Sequence, residues 1–188
     1  MLNNDQLESI LPWSQHGGGE ISILPGGSNG SPNTFASTGR LYAYGGPTHM
    51  LDVHCLTVGS KYMWKAQFKL LDSMNGNAAF TCDKTKPYGD AECCPFFTLV
   101  LNFADTTNPV YIHYYNTDTS DWVAGQFNYF ETDIEITEQI HIATSAQMIF
   151  NGPRAGITIL FDEAELELVQ EDNCENLVPN GHFEVSMS

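Results

Sequence analysis

Positive charge is scarce in this chain. Its 188 residues carry 7 Lys+Arg against 23 Asp+Glu, a formal net charge of −16. A nucleic-acid partner needs its phosphates neutralised by Lys and Arg, so that class is excluded. An anionic membrane surface is excluded on the same ground. An acidic surface tolerates neutral ligands and attracts Ca²⁺. No apolar run approaches the roughly 18–20 residues that cross a bilayer, so membrane insertion is not expected. The opening "MLNNDQLESILPW" lacks the basic end and apolar stretch of a signal peptide. Together with the features below, it reads as a fragment of a longer secreted protein. CxxC and HxxxH spacings are missing, which argues against zinc.

A convincing helix is also missing; "TEQIHIATSAQM" (137–148) is the one short candidate. Strand signals fill the chain instead. "YMWKAQFKL" (62–70) alternates cleanly, with Tyr62, Trp64, Ala66, Phe68 and Leu70 on one face. Segments 20–24, 34–44, 96–103, 109–115, 126–136, 147–150 and 156–169 read similarly, separated by Gly, Pro, Asn and Asp clusters. The pattern predicts an all-β, antiparallel β-sandwich of the jelly-roll kind over 1–170. Trp13, Trp64 and Phe68 are assigned to its core. The Gly-rich run 17–30 is a surface loop and contains the sequon Asn29-Gly30-Ser31.

Five cysteines, Cys55, Cys82, Cys93, Cys94 and Cys174, point to an oxidising compartment. Adjacent strand residues face opposite ways, so Cys93 and Cys94 should take different partners. The expected pairs are Cys82–Cys93, closing the loop "DKTKPYGDAE", and Cys55–Cys94; a loop of that size stabilises by about 3 kcal/mol. Cys174 is left over, placed for a link to a neighbouring module.

Three segments resemble the galactose-binding-like jelly rolls among carbohydrate-binding modules, families 4, 9 and 22, which accompany xylanases and glucanases. The opening phrase of those modules, N-x-x-x-N-G-x-F-E followed by "PW", is weakened in "LNNDQLESILPW" (2–13) and full in "NLVPNGHFEV" (176–185). "LDVHCLTVGSKYMWKAQFKLL" (51–71) is similar to their middle strand pair, and "FNGPRAGITILFDEAELEL" (150–168) to their closing strand. An opening phrase at the end makes 171–188 a linker plus the first strand of a following repeat, or else a docked edge strand.

In 156–169 the even positions Leu160, Asp162, Ala164, Leu166 and Leu168 form the apolar phase, which places Asp162 on the core side. A buried carboxylate there needs a cation or several hydrogen-bond donors; Arg154 is the nearest basic candidate. The resemblance implies a structural Ca²⁺ held by Asp162 and Glu8, with Glu20 and carbonyls of the Gly26–Asn29 loop as further ligands.

Sugars offer apolar C–H faces and rings of hydroxyls, which aromatic rings and a few polar groups recognise. Tyr111, His113 and Tyr115 alternate on one strand, with Trp122 close behind and Tyr42 and Tyr44 beside a Gly-Gly-Pro turn. Tyr44, Tyr111, Tyr115 and Trp122 are expected to stack on sugar, and His113, Gln126 and Asn128 to hydrogen-bond it. Catalysis is not expected: no facing carboxylate pair stands out, and His16, His49, His54, His113, His141 and His182 lack a relay partner nearby. The sequence therefore reads as a secreted, non-catalytic module for a neutral polysaccharide, stabilised by calcium and disulfides. The alternative is a structural or adhesive repeat of an extracellular matrix or surface array, whose partners are neighbouring modules.

Overall fold

The computed structural model describes residues 13–52 and 56–169. Glu8, Cys55, Cys174 and the closing segment 171–188 lie outside the described residues. Strands β1 (Ser14–His16), β4 (Gly46–Leu51), β7 (Phe96–Asn102), β8 (Val110–Tyr114) and β10 (Ser145–Asn151) form one sheet in the order β1-β4-β10-β7-β8. The second sheet contains β2 (Glu20–Pro25), β3 (Asn33–Thr38), β5 (Lys61–Asp72), β6 (Ala78–Ala79) and β11 (Ile157–Leu168) in the order β2-β3-β11-β5-β6, with β9 (Asn128–Glu135) laid along β5. All these ladders are antiparallel. The 137–148 candidate contributes one helical turn, α1 (Glu138–His141), capped by Thr137, before the chain re-enters the first sheet.

The core lies between the sheets. Tyr62, Trp64, Ala66, Phe68 and Leu70 of β5 are all buried, as their alternation predicts. Trp64 stacks on Phe97 of the facing sheet at 6.0 Å, and Phe68 meets Phe130 edge-on at 5.6 Å. Trp13 is buried against Phe150 at 5.8 Å. Burying each such side chain contributes about 1.5–3 kcal/mol. The opposite face of β5 carries Lys61, Lys65 and Lys69. Around them stand Glu131, Asp133 and Glu135 of β9 and Glu165 and Glu167 of β11, giving the second sheet an acidic outer face.

The phase expected for β11 holds over only half the strand. Ile157, Ile159 and Phe161 point inward, then the register shifts between Asp162 and Glu165, and Ala164, Leu166 and Leu168 point inward instead. Glu163 takes a left-handed φ of 49° at this bulge. Asp162 therefore sits on the outer side of its sheet, not the core side, yet it is buried because the β2–β3 loop folds over it. Ser28 donates to Asp162 Oδ2 from its backbone N–H (2.7 Å) and its hydroxyl (3.2 Å), while Glu163 N–H donates to Oδ1 (2.9 Å). Asn29 Nδ2 reaches both oxygens of Glu163 at 2.9 Å. Burial pushes the Asp162 carboxyl up and these donors pull it back. Arg154 pairs with Asp72 at 2.9 Å and takes no part. Glu20 does not meet Asp162 either: it pairs with Thr38, four residues along β2 from the Leu24–Thr34 pair beside Asp162.

The run Gly26-Gly27-Ser28-Asn29-Gly30 carries the letters G-x-S-x-G of a nucleophile elbow. Its serine is buried and its hydroxyl donates to a carboxylate, not to an imidazole. The motif is a structural clamp.

The disulfide pairing differs from expectation. Cys82 bonds Cys94, their Cα atoms 4.9 Å apart, while Cys93 is a buried thiol whose Sγ donates to the Gly152 carbonyl at 3.4 Å. Cys93 and Cys94 do face different ways. A backbone bridge sets Cys93 opposite Asp83, which leaves Cys94 on the side of Cys82. With Cys94 engaged, the Cys55–Cys94 pair is excluded as well.

Segment 34–44 does not run on as a strand: β3 ends at Thr38, and Arg40 turns inward. Its guanidinium is buried and donates to five carbonyls: Gly45 (2.7 Å), Ile157 (3.0 Å), Ala43 (2.9 Å), Pro153 (3.2 Å) and Tyr42 (3.4 Å). Burial pulls its pKa down to about 10. The planar fork satisfies several carbonyls at once, which a lysine ammonium cannot do.

Two stability outcomes follow from these clamps. Arg40→Lys leaves buried carbonyls unpaired and should cost about 2 kcal/mol or more, read as a lowered urea midpoint. Gly27→Ala would drive a Cβ into Asp162 Oδ2 and the Asn33 carbonyl, whereas Gly26→Ala meets nothing within 4 Å and carries only the strain of its φ of 86°. The first should cost clearly more than the roughly 1–2 kcal/mol of the second; equal midpoints would show that the loop does not grip Asp162.

Candidate functional site

The outer face of the first sheet differs in kind from the acidic face of the second. Register places His16, Gly46 and Asn151 in one row across β1, β4 and β10. The same row continues to Phe96 and ends at Tyr115, just past β8, whose ring lies 5.6 Å from Phe96. The next row sets Thr48, Ile149, Thr98 and His113 side by side. A third runs through Met50, Gln147, Val100 and Tyr111. None of these side chains is acidic or basic apart from the two imidazoles, and burial lowers the pKa of both His16 and His113. The face is therefore uncharged at neutral pH.

Aromatic rings stand up at both ends. Tyr42 and Tyr44 stack on each other at 4.7 Å with planes 5° apart, and His16 packs against Tyr44 at 6.2 Å. They are carried by the loop that Arg40 ties down. At the far end Tyr115 stacks on Phe96, and Tyr111 is 58% exposed on β8. Tyr88, from the loop that the disulfide closes, stacks on His113 at 4.8 Å.

A hydrogen-bonded chain crosses the floor between these ends. Thr98 has one hydroxyl proton, which it gives to Asn151 Oδ1 (2.8 Å), and Asn151 Nδ2 donates to the Tyr44 carbonyl (3.3 Å). Thr98 Oγ1 must then accept from His113 Nδ1–H, 2.9 Å away. This assigns the His113 tautomer and leaves Nε2 as an acceptor. Thr98 and Asn151 are both buried, so the chain is fixed in place.

Of the expected site residues, Tyr44, Tyr111, His113 and Tyr115 come together on this face. Trp122, Gln126 and Asn128 do not. They belong to the β8–β9 connection and β9 itself, on the other sheet. Trp122 packs against the core, its Nε1 donating to the Phe80 carbonyl at 3.3 Å. Asn128 is buried and staples its own loop, accepting from Val123 N–H (2.6 Å) and donating to the carbonyls of Val123 (3.0 Å) and Gln126 (2.8 Å). Tyr88, Phe96, Thr98 and Asn151 were missed. "FFTLVLNF" reads as apolar throughout, which hides that Phe96, Thr98 and Val100 face outward while Phe97, Leu99 and Leu101 fill the core.

No protein-family model matches the sequence, and no curated protein does. Solved structures do. The CBM22-2 xylan-binding domain of Paenibacillus barcinonensis Xyn10C superposes with a TM-score of 0.61 at 17% identity, covering 86% of this chain and 94% of that one. The CBM22-1 domain of the same protein gives 0.59 at 15%, covering 85% and 87%. The C-terminal family 22 carbohydrate-binding module of Clostridium thermocellum Xyn10B gives 0.59 at 14%, covering 88% and 91%. The likeness is one of fold, the antiparallel jelly-roll sandwich that these domains share.

Proposed function

We propose that this chain is a non-catalytic carbohydrate-binding module of a secreted protein, and that it takes a neutral polysaccharide across the outer face of its first sheet. The observation that carries this is the set of exposed tyrosine rings, Tyr42, Tyr44, Tyr111 and Tyr115, on an uncharged face where buried Thr98 and Asn151 orient the His113 imidazole from beneath. That is the chemistry of a sugar with apolar ring faces and hydroxyl edges. Tyr44, Tyr111 and Tyr115 stack on sugar rings, and His113 Nε2 accepts from a hydroxyl. Strands lie about 4.8 Å apart, so the span from β4 to β8 is about 14 Å and accommodates about three rings. Xylan is the first polymer to test, because the two Paenibacillus domains are described as xylan-binding. A disulfide supports secretion, since such bonds persist in oxidising compartments.

Calcium belongs to the same proposal. Asp162 Oδ2 and the Asn33 carbonyl oxygen lie close to each other beside Gly27, and oxygen ligands of these two kinds suit a hard cation. Among the described residues no three His, Cys, Asp or Glu converge, so the shell would be completed by oxygens beyond them, with Glu8 as the expected second carboxylate. The three donors on Asp162 stabilise the metal-free protein. Calcium would raise stability further, by tying the β2–β3 loop to β11.

Three measurements check these readings. In affinity electrophoresis on soluble xylan and β-glucan, Tyr44→Ala and Tyr111→Ala should each weaken retention about tenfold. Trp122→Ala should lower the melting temperature and leave retention intact; wild-type retention in both tyrosine variants would remove this face from consideration. His113 has a folded pKa below 6.5, so its neutral form, with its acceptor and its contribution to stability, is present above that value and lost as pH falls through the folded pKa. Retention should be flat at and above neutral pH and fall as the pH drops through the lowered His113 pKa, with His113→Gln showing the smaller change. Millimolar calcium should raise the melting temperature above that in excess EDTA; identical curves mean that Ser28 and Glu163 alone satisfy Asp162.

A further inference from the structure

The loop between β6 and β7 is built more rigidly than a surface connection needs to be. The Cys82–Cys94 disulfide closes it. Lys84 Nζ anchors one limb to Asp118 Oδ2 (3.1 Å) and the Ser120 carbonyl (2.7 Å). Arg154 N–H anchors the other limb through the Ala91 carbonyl (3.2 Å). Within the loop Asp83 accepts from Thr85 N–H (2.8 Å) and Asp90 from Glu92 N–H (2.9 Å). At the tip Asp90 N–H bonds the Pro87 carbonyl across a turn whose Gly89 has φ 86°. That tip presents one large side chain, Tyr88. Its ring rests on His113 at 4.8 Å, meets Phe96 edge-on at 5.3 Å, and remains 43% exposed.

We propose that Tyr88 is a sugar-stacking residue that forms the second wall of the binding face, and that the Cys82–Cys94 disulfide holds it in the bound position before ligand arrives. The inference rests on the sugar-binding reading above and adds a specificity-determining residue to it. Tyr42 and Tyr44 form the wall beside β4, and Tyr88 stands over His113 on β8, so a chain crossing the floor would be gripped from both ends. A tyrosine on a pinned loop loses little freedom on binding, and pre-ordering of this kind appears as affinity. The same bond makes the grip sensitive to reductant: opening it leaves the two limbs held by Lys84 and by the Ala91 carbonyl, while the floor of β7, β8 and β10 is untouched.

The test is isothermal titration of soluble xylan, or of whichever neutral polysaccharide the wild type retains, into the full chain and its variants. Folding of each variant is checked by near-UV circular dichroism. Tyr88→Ala should weaken binding about tenfold and Tyr88→Phe only slightly. The double variant Cys82→Ser/Cys94→Ser should lose about three- to tenfold, and adding Tyr88→Ala to it should bring the total loss to about tenfold, no more than Tyr88→Ala alone, because both changes remove one grip. If the disulfide-free chain does not fold, reduction of the folded wild type by a phosphine reads the same quantity. Wild-type affinity in Tyr88→Ala overturns the wall while leaving the tyrosines on β8 and beside β4 as the site. Losses that add in the triple variant overturn the role of the disulfide. A wild type that binds no polysaccharide on a broad panel overturns this inference together with the function it rests on.

Discussion

The tyrosine-bearing face depends on one buried cation. Arg40 carries its charge into the edge of the sandwich, and among the described residues no carboxylate pairs with it; backbone carbonyls from three segments accept its hydrogen bonds. An unsolvated guanidinium is costly, and the depressed pKa of about 10 records that cost. Convergence of the carbonyls of Tyr42, Ala43 and Gly45 with those of Pro153 and Ile157 offsets it. The same set of bonds joins the tyrosine loop to the β10–β11 turn. That turn in its turn receives Cys93 at Gly152 and gives Arg154 N–H to Ala91. Both aromatic ends of the face are thus referred to one fixed point, residues 151–157. In a protein with seven basic side chains, one of them is spent on geometry and not on solubility.

The bulge in β11 answers a different demand. A strand twelve residues long that alternates faithfully would either carry Glu163 and Glu165 to the core with Leu166 and Leu168 to solvent, or turn Ile157, Ile159 and Phe161 outward. Displacing the register at Asp162–Glu165 keeps both halves of the strand apolar inward. It also leaves two consecutive carboxylates with unusual directions, and the β2–β3 loop covers both, Ser28 on Asp162 and Asn29 on Glu163. Asn29 can do so because it adopts φ 47°, a region that asparagine tolerates better than most residues.

How much of this was legible in the sequence varies with how local the cause is. The β5 alternation named its own buried face correctly, because period-two patterning is a property of the strand alone. Strand β4, "GPTHML", was invisible: Gly46 and Pro47 read as turn, and its pairing with β10 is settled by partners a hundred residues away. The β11 phase was misread because a bulge is written in backbone torsion, not in residue type. Tyr111, His113 and Tyr115 were found by alternation, but Trp122, Gln126 and Asn128 were included only by nearness in sequence, and the chain changes sheets between them. Tyr88 had no local signal. It joins the face through a loop closure whose cysteine partner was assigned to the wrong neighbour by one residue.

The two outer faces of the sandwich lie on opposite sides of a packed core. One collects glutamates and aspartates around three lysines; the other carries no fixed charge in the three rows that run from β4 to β8. Stacked sheets are about 10 Å apart, and at physiological salt the screening length is about 8 Å. The field of the acidic side therefore decays through the surrounding electrolyte before it bears on anything lying across the tyrosines. A molecule with a formal charge of −16 can thus repel its own copies strongly and still offer an electrostatically quiet surface, one that imposes no charge penalty on an uncharged polymer.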